Sequence, residues 1–271
     1  KQKVSITSRK PNTTRTSVLG VATEGANQII FVDTPGWQKK PKRLLDRYMN
    51  RFIDWSLDQV DCVLMISDAR NWRHEDKLLA ESVLRLSTPK ILIINKIDLI
   101  KNKTKLLAYV DNLKKDGLIF DDFIFISAKK KQSLESLLKV ITGYCPKRDF
   151  IYDPNTVTNK TLNFRIGEVI REKMLMFLGD ELPYETCVVI EQFDDGEKLV
   201  RINAVAYVER DSQRLIILGK TGSLIKKIST KARYDIETLV GKKVYLRIWI
   251  KVAESWSDDT EKLKLFGLKG G

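Results

Sequence analysis

Ile91-Leu92-Ile93-Ile94-Asn95-Lys96-Ile97-Asp98 is the stretch on which the reading of this chain turns. Four consecutive apolar side chains fit a strand covered on both faces, the habit of parallel sheets. The tetrapeptide that ends the run then lies at a strand's C-terminal end, where open α/β sheets hold their ligands. An Asp there suits guanine. That base presents a ring N–H and an exocyclic amine side by side, and one carboxylate accepts both; adenine offers an acceptor and lacks the amine. An Asx turn closing a strand has the same local pattern, so the tetrapeptide is weighed with its neighbours.

Other β-rich runs flank it, at Ser17–Thr23, Gln28–Val32, Val60–Ile66 and Phe123–Ile126. Between them, Leu44, Leu45, Tyr48, Met49, Phe52 and Ile53 recur at helical spacing, as do Leu78, Leu79, Val83 and Leu84. Leu106, Leu107, Val110 and Leu113 repeat the pattern before Gly117, a C-cap candidate. This rhythm predicts a mainly parallel sheet with helices on both faces, in which Val63-Leu64-Met65-Ile66 is also buried on both sides. Pro146 to Thr161 breaks the rhythm and is read as a linker. An α+β module follows. It has a helix at Asn163–Leu178, strands at Glu185–Gln192 and Lys198–Glu209, a short strand at Arg214–Leu218, a basic helix carrying Leu224, Ile225 and Ile228, and a strand at Lys243–Val252. The expected domains are 1–147 and 161–271, joined by 148–160.

The 271 residues carry 48 Lys plus Arg against 35 Asp plus Glu. An excess of 13 points to a polyanionic partner, nucleic acid or an anionic membrane surface. A single histidine, His74, excludes zinc sites and catalytic triads that need two imidazoles. Cys62, Cys145 and Cys187 lie far apart without a Cys-x-x-Cys, which reads as reduced thiols in a cytosolic protein. No apolar run reaches the roughly 18 residues of a membrane span, and the start of the chain has no signal-peptide core, so a soluble protein is expected.

Asp33-Thr34-Pro35-Gly36 ends the run Ile29–Val32, a place where a carboxylate holds a phosphate-bound Mg²⁺ and a Gly turn senses the γ-phosphate. An Asp-x-x-Gly turn is also a common surface feature. Ser127-Ala128-Lys129 follows the run Phe123–Ile126, and its N–H groups suit the guanine carbonyl. Three such motifs in this order resemble the translation-factor-related GTPases. The resemblance implies GTP/GDP with Mg²⁺ as cofactors. It places Asp33, Thr34, Pro35, Gly36 and Trp37 in switch II, with guanine specificity at Asn95, Lys96, Ile97 and Asp98. Ser127 and Ala128 complete the base pocket, and Thr13 and Thr14, in the loop Arg9–Thr16, stand at switch I. Thr14 and Asp33 become the Mg²⁺ ligands. Trp37 occupies the position of the water-orienting Gln of many GTPases, with Gln38 one place on, so no catalytic base is named. No Gly-x-x-x-x-Gly-Lys-Ser/Thr occurs, since the only Gly-Lys-Thr is Gly219-Lys220-Thr221 and Arg214 holds the earlier Gly position. In the family the P-loop immediately precedes the segment that begins here, so the expected fold class is an α/β P-loop-type G domain incomplete at its N-terminus.

Gly219-Lys220-Thr221-Gly222 fits the Gly-x-x-Gly loop of a KH module, which packs backbone against a sugar-phosphate chain at a helix N-terminus. Gly267-Leu268-Lys269-Gly270 shows how readily the tetrapeptide arises without that context. Only the first opens a basic helix, with Lys226 and Lys227; from Lys220 to Lys251 there are nine basic residues and two acidic ones. A solvated charged face is the alternative. The clusters Lys39, Lys40, Lys42, Arg43 and Lys129, Lys130, Lys131 suit ribosome, membrane or plain solvent. Of the tryptophans near the last strand, Trp249 and Trp256, a half-buried core role is expected over base stacking. Nearly the whole chain is similar to the Era-like GTPases, a G domain followed by a type 2 KH domain, with Lys3–Arg15, Arg165–Tyr184 and Val252–Asp259 among the matching segments. The resemblance implies GTP-dependent binding of the 3′ end of small-subunit 16S rRNA during 30S assembly. It also implies a monomer in the cytoplasm with peripheral inner-membrane contact. Two alternatives stay open: a KH-type RNA-binding protein whose G domain no longer uses GTP because the P-loop is missing, and a membrane-surface protein using the basic clusters.

Overall fold

The structure, a computed structural model, describes residues 4–8, 13–38, 40–102, 104–179 and 182–268, with Lys105 and Pro183 described as backbone only. Residues 9–12 of the Arg9–Thr16 loop, Lys39, Lys269 and Gly270 lie outside them. The elements run β1 (Val18–Glu24), β2 (Asn27–Asp33), α1 (Leu44–Leu57), β3 (Val63–Asp68), α2 (His74–Val83), β4 (Lys90–Asn95), α3 (Thr104–Lys115), β5 (Asp122–Phe125) and α4 (Leu134–Tyr144). They continue with α5 (Leu162–Phe177), β6 (Cys187–Asp195), β7 (Leu199–Val208), α6 (Asp211–Leu218), α7 (Ser223–Val240), β8 (Lys243–Val252) and α8 (Thr260–Leu265). They pack as two compact units, one of residues 4–22, 30–54 and 155–268, the other of 23–29 and 55–154.

In the second unit β3, β4 and β5 form a parallel sheet with β4 at its centre. Ile91, Leu92, Ile93 and Ile94 are all buried, as a continuous apolar run in a central parallel strand should be. β3 departs from the expectation. Val63 and Met65 enter the core with Leu92 and Ile94, while among the described residues Ile66 on the other face is 61 % exposed. α3 ends as its sequence indicates: Gly117 takes φ +78° and the Leu118 N–H donates back to Leu113. β1 and β2 form a sheet of their own, joined by the two-residue turn Gly25-Ala26, a connection that only antiparallel strands can make.

The KH sheet has the order β6-β7-β8, with β6 antiparallel and β8 parallel to β7. The parallel pair requires a crossover, and α6 and α7 supply it. One face of β7, Val200, Ile202 and Ala204, is fully buried against Ile166 and Ile170 of α5 and Ala232 and Ile236 of α7. α5 starts at Thr161, whose hydroxyl accepts the Phe164 N–H, and α7 stops at Gly241, φ +72°.

The short strand expected at Arg214–Leu218 is instead the end of α6. Gln213 and Ile217, four apart, are buried, whereas Leu215 and Ile216 are 58 % and 56 % exposed, a helical period. The Gln213 side chain also accepts the Glu209 and Arg210 N–H groups, which caps the helix start. In the segment read as a linker, Val157 accepts the Val21 N–H, and the Asn159 side chain accepts the Leu19 N–H.

Ile202→Ala removes a fully buried side chain from the central KH strand and is expected to lower unfolding free energy by about 2–5 kcal/mol, read as a shift of the denaturant midpoint.

Candidate nucleotide and RNA sites

β4 and β5 end side by side, and their C-terminal loops are stitched together. The Ile126 N–H donates to Ile94, and the Ile97 N–H to Ile126. The Asn95 side-chain oxygen accepts both the Lys96 N–H at 2.7 Å and the Ala128 N–H at 3.0 Å, so one amide fixes both loops. Lys96 takes φ +65°, which turns the chain sharply enough to bring Asp98 round. The buried Ser127 hydroxyl donates to Asp98 Oδ1 at 2.6 Å. Among the described residues nothing else holds the other Asp98 oxygen, and Asp98 is exposed. The result is a carboxylate of fixed orientation with one oxygen facing outward. Lys96 in turn pairs with Asp68 at 2.8 Å, and Arg70 and then Lys96 hold the Asp68 carboxyl well below the usual carboxylate range.

In the other unit Asp33 closes β2, and the Thr14 hydroxyl donates to its carboxylate at 3.3 Å. Pro35 is buried, Thr34 and Gly36 half-buried, and Trp37 40 % exposed. Gln38 is bracketed by Asn50, which accepts its N–H and donates to its carbonyl. A cavity of about 360 Å³ opens beside Thr14 and Asp33, with Val4, Ile6, Glu168 and Asp235 also in its wall.

The segment carrying Thr13 and Thr14 is gripped by side chains the motifs did not single out. Arg171 of α5 donates to the Thr13 carbonyl at 2.7 Å while pairing with Glu168 at 2.6 Å. Burial depresses the Arg171 guanidinium, and Glu168 more than offsets it. Arg15, also buried, donates to the Thr186 carbonyl at 2.7 Å and lies over Trp256. Burial, then the neighbouring Arg171, pulls Arg15 down to about 10. Glu172 accepts the Thr7 N–H at 2.9 Å. The available signal was three successive charged residues, Arg171-Glu172-Lys173, between the apolar positions Ile170 and Met174 of a helix.

The Gly-x-x-Gly turn links α6 to α7. Gly219 has φ +71°, and a Cβ there would stand 2.8 Å from the Leu224 side chain and 3.1 Å from its backbone nitrogen. Gly222 has φ +77° but open space around it. Thr221 between them takes φ +51°, a strained setting for a β-branched residue. The turn leads into the 18-residue α7, whose first N–H groups have no partners within the helix and favour anions. Lys220 and Lys226 are exposed, and Lys227, also exposed, sets its ammonium 4.7 Å from the Phe177 ring centre. Both acids of the Lys220–Lys251 stretch are engaged: Asp235 pairs with Lys173, and Glu237 accepts the Val244 N–H. Arg43 of the earlier basic cluster pairs with Glu185 at 2.6 Å.

A family model described as 50S ribosome-binding GTPase matches residues 1–96, and one described as KH domain matches 181–257. GTPase Era of Stenotrophomonas maltophilia is 40 % identical over 265 residues, 98 % of this chain and 89 % of that protein. This chain belongs to the Era GTPase family. Era of Pseudomonas fluorescens is 41 % identical over 266 residues, 98 % of this chain and 88 % of its own. The crystal structure of Era in complex with MgGDPNP and nucleotides 1506–1542 of 16S ribosomal RNA has a TM-score of 0.95 at 33 % identity, covering 99 % of this chain and 91 % of that one. A point variant of Aquifex aeolicus Era bound to GDP·AlF4⁻ gives 0.95 and 33 %, covering 99 % and 92 %. The Era fold is therefore that of this chain, a G domain followed by a KH domain.

Two outcomes follow. In a chain carrying the family's phosphate loop, Asp98→Asn should lose guanine nucleotides by at least about a hundredfold and gain xanthine nucleotides, measured by competitive nucleotide titration. Gly219→Ala should cost about 3 kcal/mol of stability through the Leu224 clash, against about 1 kcal/mol for Gly222→Ala, compared by thermal unfolding.

Proposed function

We propose that this chain is a GTP-regulated RNA-binding factor that binds the 3′ end of 16S rRNA and assists assembly of the 30S subunit. The observation that carries the reading is the Asp98 carboxylate, oriented by Ser127 with one oxygen outward. That acceptor complements the two adjacent donors of the guanine edge, while the Ala128 N–H, which donates to Asn95 here, has to leave that bond to meet the guanine carbonyl. In the other unit Thr14 and Asp33 offer hard oxygen donors, which fit Mg²⁺ bound to GTP or GDP. When bound, the ion would neutralise phosphate charge during hydrolysis of GTP to GDP and phosphate. Trp37 offers no base to activate water, so the attacking water is positioned by groups other than the residue after Gly36.

On the RNA side, Gly219, Lys220, Thr221 and Gly222 bring backbone and the α7 N-terminus to the phosphates, and Lys226 and Lys227 add charge one turn further on. The solved Era complex with 16S nucleotides supports the choice of RNA. Domains at 1–147 and 161–271 with the linker 148–160, a monomer, a cytoplasmic location and peripheral inner-membrane contact belong to the same proposal. No helix among the described residues is long and apolar enough to cross a membrane.

Coupling between nucleotide and RNA needs an element with two arrangements. The segment around Thr13 is the candidate, because Arg171 of the KH module holds its backbone while Thr14 faces the Mg²⁺ ligand Asp33. In a chain carrying the family's phosphate loop, affinity for an RNA of the 16S 3′ end should differ about tenfold or more between a GTP analogue and GDP, by fluorescence anisotropy. Equal affinity in both states would remove the regulatory reading.

A further inference from the structure

The KH sheet has a second face. Even-numbered residues of β7 and β8 point to the helices, and odd-numbered ones point away. One end of the outward face is covered: Cys187 and Val189 pack with Leu45 and Met49 of α1 and with Trp256 and Leu263, and Phe266 stacks on Tyr207 at 4.6 Å. At the other end Tyr245 and Trp249 are 48 % and 53 % exposed. Trp249 therefore departs from the core role expected of it, which Trp256, fully buried, does fill.

Arg247 stands between those two rings. Its guanidinium lies 5.7 Å and 5.9 Å from their centres and donates to the Tyr245 hydroxyl at 2.9 Å. Alongside on β7, Arg201 is in register with Tyr245 and Asn203 with Arg247. β8 contains Lys243, Arg247 and Lys251 and no acid. Lys251 pairs with Glu191 at 2.9 Å and Arg201 with Asp194 at 3.8 Å, whereas Arg247 has no carboxylate partner among the described residues.

We propose that Tyr245, Arg247 and Trp249, flanked by Arg201 and Asn203, form a second platform for single-stranded RNA, carrying nucleotides that flank those held at the Gly-x-x-Gly turn. Side chains two apart on a strand stand about 6.7 Å from each other, so the three groups line one exposed row along β8 on whose outer faces bases can stack. Aromatic rings and a guanidinium both stack on bases, and a sheet face bearing such rings is a known way to hold RNA. A strand with Lys243, Arg247 and Lys251 and no acid matches a polyanion, which favours RNA as the occupant. β8 is an edge strand with α6 and α7 packed against its inner side, so a chain leaving the turn has one strand to cross.

The proposal rests on the RNA-binding reading above, and the test separates the two. The full chain is titrated with two RNAs that share a core from the 16S 3′ end, one of about eight nucleotides and one about ten longer. Trp249→Ala and Arg247→Glu should each weaken the longer RNA about tenfold and leave the shorter unchanged, with Trp249→Phe restoring affinity. Arg247→Glu should also reduce the salt slope for the longer RNA by about one. Gly222→Asp, in the turn, should weaken both. If the β8 variants bind both RNAs like the parent while Gly222→Asp loses both, the platform is refuted and the KH reading stands, and loss of a protein partner alone would refute it equally. If Gly222→Asp changes nothing, the underlying reading fails.

Discussion

One helix has to satisfy two sets of demands. Ile166, Ile170 and Met174 of α5 are fully buried in the cores under the KH sheet, while Arg171, Glu172 and Lys173 on its remaining surface are also buried and must therefore be paired. Each finds its partner on a different part of the chain: the Thr13 carbonyl and Glu168, the Thr7 N–H, and Asp235. Removing one member of such a buried set costs about 3–5 kcal/mol, because the charge left behind loses both water and partner. The segment carrying Thr13 and Thr14 is thus tied to the RNA-binding module by the same helix that organises its core. For a family in which nucleotide and RNA are read by one chain, this is a short physical path. Movement of the Thr13 backbone has to be answered by Arg171, and Arg171 cannot move without disturbing the packing beneath it.

The parts legible in the sequence are those in which a local pattern coincides with a tertiary requirement. Ile91–Ile94 reads as a doubly covered strand because β4 is central; the motifs at Asn95 and Ser127 follow the ends of β4 and β5, and Asp33 ends β2 of the separate β1–β2 sheet. The apolar run Leu215–Leu218 misleads for the opposite reason. Its composition is that of a strand, but burial of Gln213 with Ile217 follows a helical period, and two of its apolar side chains stay outside. Trp249 and Trp256 are seven residues apart and of one type, yet one is buried and the other half-exposed, according to whether α8 reaches them. The grip of Arg171 on Thr13 spans 158 residues, and no local pattern records a partner so distant.

The nucleotide site shows the same economy at smaller scale. The Asn95 side-chain oxygen holds two backbone N–H groups from two loops, and the wholly buried Ser127 aims the Asp98 carboxylate. The orientation of exposed Asp98 depends on these hidden supports.

The order of strands in the KH sheet also sets an order in time. β6 and β7 are neighbours in sequence and can zip as soon as both have left the ribosome, but the central β7 gains its second partner only when β8 has been made, after the whole α6–α7 crossover. Until then its far edge is an unpaired apolar strand. A nascent chain can therefore complete the β3–β4–β5 sheet, with the loops that carry Asn95 and Ser127, before it can close the KH sheet.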